Sequence, residues 1–124
     1  MTAQEVFETV AEHLFTQGWR ALADNMCMYR DREGRKCAVG CLIDDEDYRP
    51  EMERLPVKAL CRNFKEVLPP TILSNVYLLM DLQQVHDEVM NWGSSDQMRQ
   101  ELTSTAKKHE LDAAFLVGLS FRDR

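Results

Sequence analysis

Cys27, Cys37 and Cys41 fall within one short stretch, and a fourth cysteine follows at Cys61. These are the side chains whose type and spacing could do chemistry. Thiolates ligate zinc, and a thiol of lowered pKa is a nucleophile or a redox centre. The C-x9-C-x3-C spacing lacks the C-x2-C knuckle of most zinc sites, although C-x3-C is tolerated. Three readings follow. The cysteines are small core residues; or Cys27, Cys37, Cys41 and Cys61 bind zinc; or one thiol is reactive or paired in a disulfide. Reactivity would need nearby cations. Arg30, Arg35 and Lys36 are close in sequence, but neighbours on a strand point to opposite faces.

Register decides whether the thiols meet. Asp31-Arg32-Glu33-Gly34-Arg35 fits a type I turn with Gly34 in the left-handed position of a three-residue hairpin loop. It predicts strands over about 26–30 and 36–43. Asp31 then faces Arg35, Tyr29 faces Cys37 and Cys27 faces Val39, so Cys27, Tyr29, Cys37, Val39 and Cys41 share one face. A loop shorter by one residue would separate Cys27 from the others. Tyr29 and Val39 on that face favour the core reading, because free cysteine is among the most buried residue types. Gly40 inside a strand marks a bulge or a close approach by another backbone or a ring. With Ala38 it leaves a flat face for Trp19, Trp92 or a small ligand.

Other titratable groups carry weaker signals. His86 has Asp87 and Glu88 beside it, but no spacing brings it to a hairpin cysteine, and a core or solvated histidine is the expectation. His13 has no partner pattern. His109 suits the negative end of a helix. Asp44-Asp45-Glu46-Asp47 lacks the calcium-loop spacing and reads as a solvated turn. Phosphate-loop, dinucleotide, nucleophile-elbow and H-E-x-x-H motifs are missing. No catalytic residue is assigned, and no cofactor is expected beyond zinc in the alternative reading.

The elements that must position these residues are mostly helices. Thr2-Ala3-Gln4-Glu5 is a capping box; Val6, Phe7, Val10, Leu14 and Phe15 form one stripe, and Gly18 ends the helix. Pro56 opens a second helix, apolar at Val57, Leu60, Cys61, Phe64, Val67 and Leu68, which Pro69-Pro70 stops. A long helix runs from Thr71 or Ser74 to Trp92, with Gly93 as its stop; its wide apolar arc makes it central. A fourth begins at Ser94 or Ser95 and runs to about His109, with Asp96 and then Lys107 and Lys108 matching the dipole. The apolar segment 111–121 fits a docked helix, an arm or a partner-binding tail. The expected fold is a single α+β domain over 1–124, mainly helical with four or five helices, its hairpin packed on the first and long helices.

Composition bounds the function. The 124 residues are 44% hydrophobic and 29% charged, a globular balance. A net charge of −6 argues against nucleic-acid binding, which needs a basic footprint. No apolar run is long enough to span a membrane. The Met-Thr-Ala-Gln-Glu start lacks the basic and apolar regions of a secretory signal, so the cytoplasm and reduced thiols are expected.

The string C-x-Y-R…G-x-K-C-A-V-G-C-L-I-x-D-x-x-Y, from Cys27 to Tyr48, resembles a group of small uncharacterised proteins of bacteriophages and bacterial prophages. Gly18-Trp19-Arg20-Ala21 and Ala106-x-x-His109-x-Leu111 are similar to that group too. The resemblance implies a compact α+β fold in the cytoplasm of a bacterial host cell, and carries no activity. The leading expectation is a small acidic, non-enzymatic accessory protein that binds a host protein. The alternatives are a thiol or zinc protein centred on Cys27, Cys37 and Cys41, and a small-ligand module.

Overall fold

The computed structural model describes residues 1–23, 26–89, 92 and 94–121. Helix α1, Ala3–Gln17, starts and stops where its sequence says. Thr2 accepts the Glu5 N–H, Glu5 reaches back to the Thr2 N–H, and Gly18 at φ 71° donates to the Leu14 carbonyl. Its buried face is Val6, Phe7, Val10, Ala11, Leu14 and Phe15. Each of these side chains larger than alanine is worth roughly 1.5–3 kcal/mol when fully removed from water.

Strand β1, Leu22–Ala23, pairs antiparallel with β2, Met26–Cys27, in the register Leu22 opposite Cys27. The fold is therefore α+β and mainly helical, with this two-stranded sheet among the described residues. The expected turn also forms. Asp31 N–H donates to Arg35, Gly34 sits at φ 85°, Arg30 and Lys36 bridge, and Cys37 N–H donates to Tyr29. This is the three-residue-loop register, with Tyr29 opposite Cys37.

The second strand does not run to Ile43. After Cys37 the chain winds into a tight turn, Cys41 N–H donating to Cys37, and then into a 3-10 turn over Gly40–Leu42. The reason is steric. A Cβ on Gly40 would overlap the Tyr29 carbonyl oxygen and stand 2.8 Å from its carbon. The close approach expected at Gly40 is thus by backbone. The Tyr29 backbone takes that place, and Ala38 and Val39 are both fully buried rather than alternating.

The helices differ from expectation at their ends. Helix α2, Val57–Asn63, stops before Phe64, and Val67 and Leu68 follow in hydrogen-bonded turns. The expected long helix is split into α3, Pro70–Leu73, and α4, Val76–Glu88. Asn75 interrupts it, its side-chain amide donating to the Thr71 carbonyl at 2.8 Å in competition with the backbone ladder. Val89 is already extended, so the helix ends before Trp92; Gly93, the expected stop, lies outside the described residues. Helix α4 is central, packing on α1, α2, α3 and α5. Helix α5, Ser95–Lys108, has Ser94 as N-cap and His109 as C-cap. The 111–121 segment is a docked 3-10 turn over Ala114–Gly118. Phe115 meets Phe7 edge-on, and Phe121 packs on Phe15 and Trp92.

The Asp31 loop is held by one carboxylate. Its side chain is 1% exposed, and it accepts from the Glu33, Arg35 and Leu22 N–H groups and from the Arg35 guanidinium at 2.7 Å. Burial alone would raise the Asp31 carboxyl, but these donors outweigh it and hold it below the usual range.

Two glycine substitutions separate sterics from backbone preference. Gly40→Ala should cost about 3 kcal/mol in urea denaturation through overpacking. Gly34→Ala has open space around its Cβ and should cost only about 1 kcal/mol, for the left-handed backbone. Equal costs would contradict the Gly40–Tyr29 contact. Asp31→Ala should lose about 2–3 kcal/mol at pH 7. Because the folded carboxyl titrates low, that contribution is present above about pH 4 and fades as pH falls through the folded value. The gap between wild type and Asp31→Ala should therefore close in acid; a gap independent of pH would rule out the carboxylate as the acceptor.

Candidate functional site

The last turns of α4 meet the Cys27 strand in a polar cluster. Ligand atoms of Cys27, His86 and Asp87 lie within 4.8 Å of one another, and this is the group of metal-ligand type among the described residues. Cys37, Cys41 and Cys61 are not part of it, so the four-cysteine set of the alternative zinc reading does not form this cluster. Sequence spacing gave no hint that His86 would reach Cys27. The split of the long helix and the turn after Cys37 decide that meeting, and neither shows as periodicity.

His86 is fully buried, and both its nitrogens are occupied. Nε2 accepts the Ala21 N–H at 3.0 Å. The ring proton is therefore on Nδ1, which donates to Asp87 Oδ1 at 2.7 Å. The same oxygen accepts from the Gln83 amide at 2.9 Å, whose own oxygen accepts the Val39 N–H at 3.3 Å. A metal on Nδ1 would move the proton to Nε2 and set it against the Ala21 N–H, donor against donor. The donor set does not fit a metal centre. Nor has His86 a free lone pair to take a thiol proton, which a cysteine–histidine nucleophile requires.

The thiols themselves are held protonated. Burial, then the neighbouring Asp87 charge, pushes Cys27 up to about 11, against a smaller opposing effect of Arg20. Burial pushes Cys41 up to about 12, and raises Cys61. Cys37, wholly enclosed, is raised further. Its sulfur accepts the Gly40 N–H and the Cys41 thiol donates to the Ala38 carbonyl, each at 3.2 Å. All four are free thiols. They behave as core and turn residues.

The remaining sequence candidates are also structural. His13 Nε2 donates to the Lys36 carbonyl at 2.8 Å, and burial holds this histidine below its ordinary range. Gln17 brackets the same peptide, accepting from Lys36 N–H at 2.7 Å and donating to its carbonyl at 2.8 Å. These two bind the hairpin to α1 as expected, and Gln83 binds it to α4. His109 pairs with Asp81 at 2.6 Å beside Lys108, fixing the end of α5 on α4. In the acidic run, Asp47 and Tyr48 N–H close a turn on the Asp44 carbonyl. Asp45 pairs with Arg30 and Lys36.

Beside the cluster a groove opens to solvent. A cavity of about 300 Å³ is lined by Met26, Cys27, Met28, Tyr29, the 54–57 segment, Gln83 and Asp87. A second, of about 130 Å³, shares Met26, Cys27, Met28 and Arg54 and adds Arg32 and Glu53. Met26 is 47% exposed. Neither Met26 nor Arg54 stands out in sequence. No known protein family, curated protein or solved structure matches the chain. No helix among the described residues is long and apolar enough to cross a membrane.

Because every thiol is raised, alkylation by iodoacetamide should be slow at neutral pH. The rate should climb about tenfold per pH unit as thiolate forms, with the Cys27 profile levelling only near its value of about 11. A plateau below pH 9 would mean an activated cysteine.

Proposed function

We propose that this chain is a small acidic, non-enzymatic accessory protein of phage or prophage type, which binds a host protein in the bacterial cytoplasm. The observation that carries the reading is the groove along Met26–Met28. Methionine is flexible and polarisable, and suits surfaces that adapt to a partner. Leu55, Pro56 and Val57 give the same groove an apolar wall. Interfaces draw their binding energy from a few such anchors inside a polar rim. The titratable groups beside it are occupied: His86 by two hydrogen bonds, Asp87 by His86 and Gln83. The thiol and zinc reading loses its support for the same reason. The small-ligand reading loses the place it relied on, because the Tyr29 backbone stands against Gly40.

The test is affinity capture from a lysate of the bacterium whose genome carries the sequence. Wild type should retain one stoichiometric host protein. Met26→Glu, which puts a charge in the groove, should lose it. Tyr77→Glu, at a side chain 67% exposed and outside the groove, should keep it. Equal capture by Met26→Glu would remove the groove from the reading, and no specific partner at all would remove the reading.

A further inference from the structure

We infer that the groove takes an acidic peptide segment of the partner. An Asp or Glu carboxylate would sit between Arg32 and Arg54, with an adjacent apolar side chain against Met26, Met28 and Val57. The inference rests on the reading of the groove as the docking surface and names the chemistry of what docks there.

The charge pattern carries it. The chain has 21 acidic residues against 15 basic ones, and several of its cations are tied to carboxylates. Arg30 pairs with Asp45, Arg35 with Asp31, Arg99 with Asp96 and Lys108 with Asp81. Among the described residues, Arg32 and Arg54 have no ion pair or side-chain hydrogen bond, and both line the smaller cavity. The carboxylate beside them, Glu53, keeps its charge but commits its oxygens to other donors, so two guanidiniums stand against one carboxylate. Its Oε1 accepts the Tyr29 N–H at 2.9 Å, and its Oε2 accepts the Arg30 N–H at 3.1 Å and the Tyr48 hydroxyl at 2.6 Å. Two guanidiniums without a partner among the described residues thus share one small cavity on an acidic protein, next to a larger one with an apolar wall. Guanidinium forks match carboxylates in geometry as well as in charge.

Backbone conformation agrees. Arg54 has φ 69°, a left-handed setting that disfavours any residue bearing a Cβ. Among the described residues, two arginines against one carboxylate line the smaller cavity and one against one the larger, so a carboxylate is drawn to the smaller. That asymmetry sets the direction in which a segment would lie. A nucleic-acid strand is disfavoured, because its continuous charge would face the net −6 of the whole chain.

The probe is an immobilised array of random heptapeptides, screened with the full-length protein, alongside a fluorescent single-stranded oligonucleotide. Wild type should select peptides with Asp or Glu next to Leu, Ile, Met or Phe. Arg32→Glu with Arg54→Glu should switch the selection to Lys and Arg. Arg54→Gly suits the left-handed backbone, so its thermal unfolding should not fall, yet the best wild-type peptide should bind it about tenfold more weakly. Selection of basic or neutral peptides, selection unchanged by the charge swap, or arginine-dependent binding of the oligonucleotide would each overturn the inference. An empty array, with the host protein still captured through Met26, would overturn it while leaving the docking reading intact. An empty array with no capture would overturn both.

Discussion

The contact on which the rest of this structure depends is between backbone and backbone: Gly40 against the carbonyl of Tyr29. Only a residue without a Cβ allows that approach, and the approach stops the second arm of the hairpin after Cys37. The chain must then turn, and the turn delivers Val39 to Gln83 and buries Cys37 and Ala38. Tyr29 is fixed from other sides as well. Its N–H donates to Glu53, its hydroxyl to the Leu55 carbonyl, and its own carbonyl accepts from Cys37. One residue thus joins the hairpin turn, the loop at 53–55 and the turn at Gly40. Burial and the nearby Glu53 and cysteine groups raise its phenol, which keeps the hydroxyl a donor.

What could be read from the residues follows the range of the interactions. Local chemistry was readable: the Thr2–Glu5 capping box, Gly18, the Asp31–Gly34 turn with its register, and Ser94 as a cap. Each is specified by side chains within a few positions of the backbone group they satisfy. The second strand was not readable, because Lys36–Ile43 carries apolar residues at consecutive positions that suit a buried strand or a buried turn equally. The choice was made by Tyr29, from across the hairpin. The long helix was overextended at both ends for a similar reason. Its apolar arc continues through Leu73 and Val89, and the Asn75 side chain that breaks the ladder looks unremarkable in a helical pattern. Element types were thus set by pattern, and boundaries by long-range contact.

The same distinction explains why the residues that looked chemical are structural. In the Cys27–Tyr48 string, Arg30 lies 4.6 Å over the Tyr48 ring, donates to the Ile43 carbonyl and pairs with Asp45; Lys36 pairs with Asp45 too. Tyr48 in turn donates to Glu53. The ion pairs with Asp45, which is 83% exposed, contribute little by themselves. The stacking and the carbonyl bond are less accessible to water, and they hold the acidic turn in place. The spacing of this string is a record of a folded knot, in which Arg30, Lys36 and Asp45, and Arg35 and Asp31, pair with one another. That is also why its cysteines are poor candidates for catalysis: a thiol packed into a knot loses hydration before it gains a cation, and its pKa rises.

The groove is a by-product of how the knot is closed. Glu53 turns inward to satisfy the Tyr29 and Arg30 N–H groups, and the Leu55 carbonyl turns inward to meet the Tyr29 hydroxyl. The residue between them must face outward, and it does so with φ 69°. The wall formed by 53–57 is therefore pinned on its inner side at two points, with Pro56 leading into α2. The facing wall, Met26 and Met28, belongs to and follows a strand only two residues long, and its side chains have three rotatable bonds each. The pinned wall is ordered in advance, whereas the methionine wall keeps rotamer freedom that any fixed contact would have to give up. On this chain the inward turn of Glu53 does two things at once. It closes the fold, and it commits both carboxylate oxygens to donors other than the arginine beside it.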